Sequence, residues 1–517
     1  MSVEAGVNKW VVAGTVMTGT MMAVLDSSIV NVALPDMAGT LGASIEEIAW
    51  VVTGYILSNV IIMPILGTLA EQIGRKRMYQ MAVVLFTVAS MLCGLARSLE
   101  VIVFFRVLQG IGGGVLMTVS QAILRESFPT EEQGMAMGVY GMGVVIAPAL
   151  GPTLGGWLTD TYSWPWVFYI NVPIGILNFF LVQRFIHDPS FLERKRGGMD
   201  WTGIALLALG LGALQLMLEK GESKDWFDSR LIVTLAVVAA VGLLVFIWHE
   251  LRTPKPAVDL SLLKNQSFTA ATAVGGVLGL GLYASLFILP LFLQTILGYS
   301  AFESGLALMP RSLAMAVGMP LSGRLYNRLG PRIMVLVGLV VSTYSFWDLS
   351  RMTAVTGFWD IFWPQVWQGM GFSLLFVPLS TAALATIERH RLTAATGLYN
   401  VVRQVAGSVG IAIAATEVSR GTARYFAVLT SHVTLYDATT RQWLGAVTAS
   451  MQRFGASAVE AEQRALALLH QTIEHQAAVL SYDFVLYLIA ILFVLAFPLA
   501  LLLRQGEGGG DTHVIAE

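Results

Sequence analysis

Fourteen apolar stretches, most of about 20 residues or more, divide this chain and constrain its fold more than any other feature. A membrane-spanning helix needs about 20 mainly apolar residues. Inside lipid, every backbone polar group must find a partner within the chain, and a helix satisfies this requirement. The 517 residues are 56% hydrophobic and only 12% charged, which argues against a soluble protein. The sequence therefore predicts an all-α integral membrane protein with fourteen transmembrane helices.

The distribution of positive charge predicts the orientation of these helices. Most Lys and Arg residues in short loops fall on one side, among them Arg125, Arg324 and Arg389. The positive-inside rule makes that side cytoplasmic and predicts that both termini lie there. The first ten residues lack a basic n-region, so we expect the first apolar stretch to be a retained helix. With a net charge of -2 and no basic patch, nucleic acid is not an expected partner.

The two halves of the chain resemble each other. Residues 64–78 return as residues 320–334, with Gly74 matching Gly330, and residues 106–112 return as residues 365–371. Internal repeats are the architecture of secondary transporters, which bind their substrate near the membrane midplane between the repeats. We predict an N-terminal six-helix half at 1–190, two extra helices with linkers at 191–264, a C-terminal six-helix half at 265–505 and a cytoplasmic tail at 506–517.

The connection at residues 418–478 differs from every other loop. It is about sixty residues long, rich in Ala, Gln and Glu, and on the predicted orientation it is not cytoplasmic. Its composition and the spacing of its apolar residues predict helices. Two interpretations remain open: a helical hairpin lying on the membrane surface, or a surface that docks a partner.

Asp26 is an acid inside an apolar span, in the stretch LDSSIVNVALP at 25–35. A charge at a helix centre costs about 2.5 to 3.5 kcal/mol on insertion scales, so an intramembrane charge is a functional hypothesis by default. An acid whose proton occupancy changes with its exposure and its cationic neighbours is what a proton-coupled carrier requires. The alternative is a structural acid bonded to a neighbouring helix.

Arg106 lies inside the fourth span, where a guanidinium needs an acid or several carbonyl groups. Asp26 is a candidate partner; the alternative is an Arg that reaches out to the membrane interface. Arg403 is a second intramembrane cation, in the thirteenth span, with either a functional or a structural role. The predicted cavity residues are Asn31, Tyr55, Gln109, Tyr140, Trp363, Asn400 and Arg403.

Glycine-rich segments mark close helix packing. QGIGGG at 109–114 lies in an apolar span without a preceding strand, so it is not a dinucleotide-binding turn. Gly143, Ala147, Gly151 and Gly155 form a stripe of small residues four apart, in a span that also holds two prolines. This stripe is either a gate or only a tight contact.

The sequence predicts neither an enzyme nor a resident cofactor. It holds no phosphate-binding loop, no HExxH motif and no metal-spaced Cys or His cluster, and its single cysteine is Cys93. ATP hydrolysis by this chain is therefore not the expected energy source. A proton gradient is the remaining supply.

These motifs together resemble the drug:proton antiporters of the major facilitator superfamily, in the fourteen-helix EmrB/QacA branch. LDSSIVNVALP resembles the first-helix motif of that branch, and GTLAEQIGRKR at 67–77 resembles the superfamily loop between helices two and three. FFRVLQGIGGG at 104–114 and GMGVVIAPALGPTLGG at 141–156 resemble the motifs of helices four and five. The resemblance covers nearly the whole chain.

The resemblance implies roles for particular residues. Asp26 and Arg106 would take part in proton coupling. Glu71 stands where the loop motif usually has Asp, which retains the charge with a longer reach. The gate and the antiport helix would comprise Gly67, Glu71, Gly74, Arg75, Lys76, Pro148, Gly151 and Pro152.

The chain looks most similar to EmrB-like members of the branch, through its segment at 220–230, its long loop and its GEGGG tail. This implies a multidrug exporter of lipophilic compounds in a bacterial inner membrane, in contact with protons and lipids. It also implies a periplasmic membrane-fusion adaptor and an outer-membrane channel as partners. The alternatives are an uncoupled membrane scaffold or lipid-handling protein, and a proton-coupled nutrient symporter.

Overall fold

The computed structural model describes residues 8–188, 198–434 and 436–503, and these residues are mostly helical. The predicted tail at 506–517 and the basic residues 194–196 lie outside this part of the chain. The helices are α1 (Lys9–Leu41), α2 (Ile45–Ile48), α3 (Trp50–Ile62), α4 (Leu66–Ile73), α5 (Arg75–Gly94), α6 (Leu99–Ser127), α7 (Gln133–Thr161), α8 (Trp166–Tyr169), α9 (Asn171–Phe185), α10 (Trp201–Lys220), α11 (Arg230–Glu250), α12 (Gln266–Thr295), α13 (Ala301–Leu349), α14 (Phe358–Ala385), α15 (Leu392–His432), α16 (Ala438–Arg453), α17 (Ala458–Leu495) and α18 (Phe497–Ala500).

Among the described residues, 13 helical segments are long and apolar enough to cross a membrane. One of them, Phe302–Leu349, has 48 residues, enough for two spans. Gly330 interrupts it with a backbone φ of 73°, a conformation that favours glycine. The 13 segments therefore supply the fourteen spans that the sequence predicts.

The internal repeat is visible in the backbone. Gly74, which separates α4 from α5, has a φ of 88°, and its repeat partner Gly330 has a φ of 73°. Both glycines turn the chain between two consecutive spans of their half. The same turn in both halves supports the alignment of the repeats read from the sequence.

The pair α10 and α11 packs beside both halves. Gln215 and Trp226, in and just after α10, donate hydrogen bonds of 2.9 and 2.8 Å to Ser408 and Thr416 of α15. Glu219 of α10 accepts a short hydrogen bond from Thr53 of α3. The extra pair is thus attached to the seam between the two halves.

The segment at 418–478 forms a helical extension, made of residues 418–432 of α15, all of α16 and residues 458–478 of α17. The 41 residues of α15 correspond to a length of about 60 Å, twice the about 30 Å of a bilayer core. Both α15 and α17 continue from their spans into the extension without a break. This continuity favours a docking surface over a hairpin lying on the membrane surface.

The extension has ordered helix starts and an exposed tip. Asp437 accepts a 2.9 Å hydrogen bond from the backbone N–H of Thr440 at the start of α16, and this bond holds the pKa of Asp437 below its usual range. Near the tip, Tyr436 is 94% exposed and Phe454 is 91% exposed. Two large aromatic side chains are thus left almost uncovered at the tip.

Candidate functional site

Asp26 lies in the middle of α1 and is completely buried. Its Oδ2 accepts a hydrogen bond of 2.5 Å from Arg106 Nη1, which makes a buried ion pair. Its Oδ1 accepts two bonds of 2.8 Å, from the amide groups of Gln109 and Asn171. Three donors from α6 and α9 therefore hold one carboxylate that has no contact with solvent.

Arg106 is also completely buried, so the alternative of an arginine reaching the interface is wrong. Its Nε donates to the backbone carbonyl of Val51 at 2.8 Å, and its Nη1 also donates to Gln109 Oε1 at 2.9 Å. The guanidinium carbon lies 4.3 Å from the centre of the Tyr55 ring, whose hydroxyl donates to the carbonyl of Ala23. Nη2 has no hydrogen-bond partner among the described residues.

The ion pair joins α1 to α6 through opposite charges in a completely buried environment. A buried pair is strongly destabilised when one member loses its charge or its partner, because the other charge is then left uncompensated in a medium of low dielectric constant. The pair therefore fastens α1 to α6 inside the bundle.

Asn171 and Ser90 were not predicted from the sequence. The Asn171 amide donates to both Asp26 and Ser90 Oγ, the latter at 3.0 Å, and Ser90 donates to the carbonyl of Phe168 at 2.9 Å. Both residues are completely buried. The one signal in the sequence was a polar residue at the start of an apolar span, in NVPIGIL at 171–177.

Three of the predicted cavity residues meet at the seam between the halves. Asn400 of α15 accepts a hydrogen bond of 3.4 Å from Gln121 of α6. Arg403 lies over the ring of Phe376, 5.1 Å from its centre, and forms no salt bridge with a described residue. Tyr140 is buried and donates to the carbonyl of Met117 at 3.1 Å. Buried amide atoms without partners accompany them, at Gln121 Oε1 and Asn400 Nδ2.

Tyr55 and Gln109 belong to the Asp26 cluster and not to this seam. Asn31 is exposed, and its amide donates to the carbonyl of Ser27 in its own helix at 3.2 Å. Trp363 is 55% exposed, beside Phe362, on an outer stripe of α14 with Trp359 and Trp367. The prediction that Trp363 lines the cavity is wrong, because the buried face of α14 carries Gln365 and Gln368 instead.

Arg75 joins the two halves at one side of the membrane, which we call the Arg75 side. It is 2% exposed and forms a salt bridge with Glu126 of its own half. Its Nε donates to Thr393 Oγ1 at 2.8 Å and its Nη2 to the carbonyl of Arg389 at 2.9 Å, both in the other half. Arg75 therefore fastens α5 to the start of α15.

The other loop-motif residues support this junction. Gly67 packs so closely on the second half that a side chain there would collide with Ala394. The backbone N–H and side chain of Lys76 bond within the first half, to Asp188 at 2.8 Å and the carbonyl of Gln183 at 2.9 Å. Glu71 is half-buried and has an interaction partner. Gly74 has its positive φ at the turn between these helices.

The small-residue stripe of α7 packs against α1. A side chain at Gly151 would collide with Ser28, and one at Gly155 would come within 2.8 Å of the carbonyl of Ile29. Ser28 donates to the carbonyl of Pro148 at 3.0 Å, whereas Pro152 is exposed. The stripe is thus a tight contact that holds the helix bearing Asp26.

Most of this chain is similar in sequence to known membrane transporters. The model of the Major Facilitator Superfamily matches residues 16–411. This chain belongs to the major facilitator superfamily. The fatty acid resistance protein FarB of Neisseria gonorrhoeae is 35% identical, over 95% of this chain and 96% of its own length. The multidrug export protein EmrB of Escherichia coli K12 is 33% identical, over 96% of each chain.

More distant relatives agree with this assignment. The colistin resistance protein EmrB of Acinetobacter baumannii is 29% identical, over 96% of this chain and 97% of its own length. The crystal structure of the human organic anion transporter MFSD10 covers 94% of this chain and 99% of its own, with a TM-score of 0.57 and 12% identity, which shows the fold alone. The chain is therefore an EmrB-like, multi-pass major facilitator transporter. Among its described residues, no group of three or more His, Cys, Asp or Glu is placed to hold a metal ion.

Proposed function

We propose that this EmrB-like transporter is a proton-driven antiporter that exports lipophilic and amphipathic compounds from a bacterial cytoplasm. The observation that carries the proposal is the buried pair of Asp26 and Arg106, completely removed from solvent. Two of its relatives are named multidrug export proteins and one a colistin resistance protein, and these names support lipophilic and amphipathic compounds as substrates. The protein would sit in the inner membrane with both termini in the cytoplasm.

Asp26 is the proton-carrying group in this proposal. When Asp26 is ionised, Arg106, Gln109 and Asn171 all donate to it and hold α1 against α6 and α9. A proton on Asp26 neutralises the ionic bond and frees Arg106 to bond other acceptors. Because α7 packs tightly on α1, a change at Asp26 is passed to a helix that contacts the second half, for example where Gly138 meets Met319.

The substrate would bind at the seam formed by Tyr140, Asn400 and Arg403. This seam offers aromatic rings, amide groups with free atoms and a cation without a salt-bridge partner among the described residues. Such a surface accepts amphipathic molecules of varied shape, since aromatic faces and amides tolerate several orientations. No cofactor is needed, because the proton gradient supplies the energy.

The proposed partners are a periplasmic membrane-fusion adaptor and an outer-membrane channel. The helical extension supports this part of the proposal, because it projects from the bundle and exposes Tyr436 and Phe454. An exporter that hands its substrate to an adaptor needs such a surface outside the membrane. Lipids surround the remaining outer surface, including the stripe of tryptophans on α14.

The test is substrate-driven proton movement in inverted membrane vesicles, with cationic, neutral and weakly acidic lipophiles. We expect exchange in the wild type and its loss in Asp26→Asn, which keeps the shape of the side chain but cannot carry the proton. Asp36→Asn is the matched control, because Asp36 lies on the same helix but is exposed. Full exchange in Asp26→Asn would refute the assignment, and no exchange with any compound would favour the scaffold alternative.

A further inference from the structure

The second half of the molecule contains a buried arginine that none of the motifs explains. Arg311 of α13 is 3% exposed. Its Nη1 donates to two neutral acceptors, Ser285 Oγ at 3.2 Å and Gln368 Oε1 at 3.3 Å. No acidic group among the described residues forms a salt bridge with it. A buried guanidinium is thus held by only two long hydrogen bonds to uncharged groups.

Further polar atoms without partners lie on α14, on Gln368 itself and on Gln365, one helical turn before it. Gln365 is completely buried, and neither its amide nitrogen nor its amide oxygen has a hydrogen-bond partner among the described residues. The amide nitrogen of Gln368, one turn along α14, also lacks one. Buried polar atoms are nearly always paired, and each one left unpaired costs free energy. Positive charge and amide donors are therefore placed together where no described acidic residue forms a salt bridge.

The repeat shows what differs between the halves. Gln368 matches Gln109 in the repeat of residues 106–112 and 365–371, and each of these amides accepts a bond from a buried arginine. The hydroxyl of Ser285 accepts a bond from Arg311, as the carboxylate of Asp26 does from Arg106. In the first half, the carboxylate of Asp26 receives bonds from the cation and the amides. In the second half, serine takes the place of the acid, while the cation, supplied by Arg311 from another helix, remains. The second half thus has the donors of the Asp26 cluster without its acceptor.

We propose that Arg311, Ser285, Gln365 and Gln368 bind a monovalent anion. The chemistry is that of the missing carboxylate: one negative charge that accepts bonds from a guanidinium, a hydroxyl and two amides. Its two possible sources are the carboxylate of a substrate and a free halide ion. This binding site goes beyond the proposed export function, and its occupation can be measured without transport.

Entry to the site requires the surrounding helices to part. Pro310 directly precedes Arg311 in α13, and Pro290 lies in α12, five residues after Ser285. A proline inside a helix removes one backbone hydrogen bond and creates a point of bending. The two helices that supply Ser285 and Arg311 therefore each have a bending point within about a turn and a half of the site.

The experiment measures thermal unfolding of the purified, full-length protein with two matched pairs of probes. Benzoate is compared with benzamide, and chloride is compared with isethionate at equal ionic strength. We expect the unfolding temperature of the wild type to rise with benzoate but not benzamide, or with chloride but not isethionate. The first result would identify a substrate carboxylate as the bound anion, and the second a free halide ion. Ser285→Asp supplies the missing carboxylate, so it should weaken apparent anion affinity by about tenfold or more.

Ser285→Asn is the matched control, since it changes the same position without adding charge and should keep the response. Arg311→Gln should lose the stabilisation by the anion. If Arg311→Gln does not fold, Ser285→Asp still tests whether the anion binds at this site. No response of the wild type to either anion, or an unchanged response in Ser285→Asp, would overturn the site. Proton exchange driven by a neutral lipophile, measured in parallel, tests the proposed function separately.

Discussion

The carboxylate of Asp26 is held in place by donors that all come from other helices. Its two oxygens receive bonds from Arg106, Gln109 and Asn171, and none of these donors comes from α1 itself. Charge-assisted hydrogen bonds are about twice as strong as neutral ones, so the carboxylate is held firmly between three helices. Separation of these helices would remove all three donors together.

The geometry of Arg106 gives the prediction at this scale. Its Nε donates to the carbonyl of Val51 and its Nη1 donates to Asp26. The planar guanidinium group can reach both acceptors because its nitrogen atoms point in different directions. Lysine keeps the charge but has one nitrogen, so we expect Arg106→Lys to fail to restore the transport lost in Arg106→Ala. Transport of a lipophilic substrate in vesicles, normalised to the amount of protein in the membrane, measures this.

Arg184→Lys is the control for the general effect of this exchange, because Arg184 is exposed at the end of α9. We expect it to transport at the wild-type rate. Full activity of Arg106→Lys would show that charge alone is sufficient and that the shape of the guanidinium group has no role. Arg106→Ala should also be destabilised, by about 3 to 5 kcal/mol, since it leaves the buried Asp26 charge unpaired.

At the scale of elements, α7 determines where α1 lies. The small residues of the stripe let the two backbones approach until Ser28 bonds the carbonyl of Pro148 at 3.0 Å. That carbonyl is accessible to a side chain because prolines inside a helix disturb its hydrogen bonding. The position of Asp26, two residues before Ser28, depends on this contact.

A single methyl group tests the contact. Gly151→Ala places a methyl group against Ser28, so we expect the two helices to be pushed apart at a cost of about 1 to 3 kcal/mol. We also expect proton exchange to fall, because Asp26 moves relative to its donors. Thermal unfolding and exchange are measured on the same preparation.

Gly156→Ala is the matched control in the same helix, since the nearest atom to its new methyl group, from Val32, is 4.0 Å away. This variant should be as stable and as active as the wild type. Equal behaviour of the two variants would mean that close packing at Gly151 is not required for coupling.

At the scale of the whole molecule, the two halves are joined at the Arg75 side. Gly67 contacts Ala394 there, and the repeat-related Gly323 contacts Gly134. Arg75 adds two hydrogen bonds across the same junction. Rocking of one half against the other, the usual mode of alternating access, must break these contacts. The junction and the helical extension lie at opposite ends of the bundle.

The extension gives the prediction at this scale. A photo-crosslinking amino acid placed at Tyr436 or Phe454 should capture the periplasmic adaptor in cells, because these positions are 94% and 91% exposed at the tip. The crosslinked product is measured by its mass and by antibody against the adaptor. Val355, which is 90% exposed in the loop between α13 and α14, is the control position.

We expect no adaptor product from Val355, since it lies outside the extension. Products at Val355 equal to those at the tip would indicate collision and not docking. Absence of product from every position in the extension would contradict its role as the adaptor site.

The sequence alone determined the number of spans, the repeat and the presence of intramembrane charges. Hydropathy is a property of each segment, so fourteen spans could be counted before any contact was known. The repeat-matched glycines, Gly74 and Gly330, indicated equivalent turns, and both have a positive φ. Because an intramembrane charge needs a partner, Asp26 and Arg106 could be named as candidates for each other.

Only the tertiary structure decided which side chains share a site. Helix rotation depends on packing against several neighbours, so Trp363 was placed in a cavity although it faces outward. For the same reason Asn171, distant in sequence from Asp26, was missed as its third donor. Arg311 also lies inside an apolar stretch of the sequence, but only the structure shows that the groups it bonds there are neutral. Such sites depend on distances between segments, and no local pattern in the chain encodes these distances.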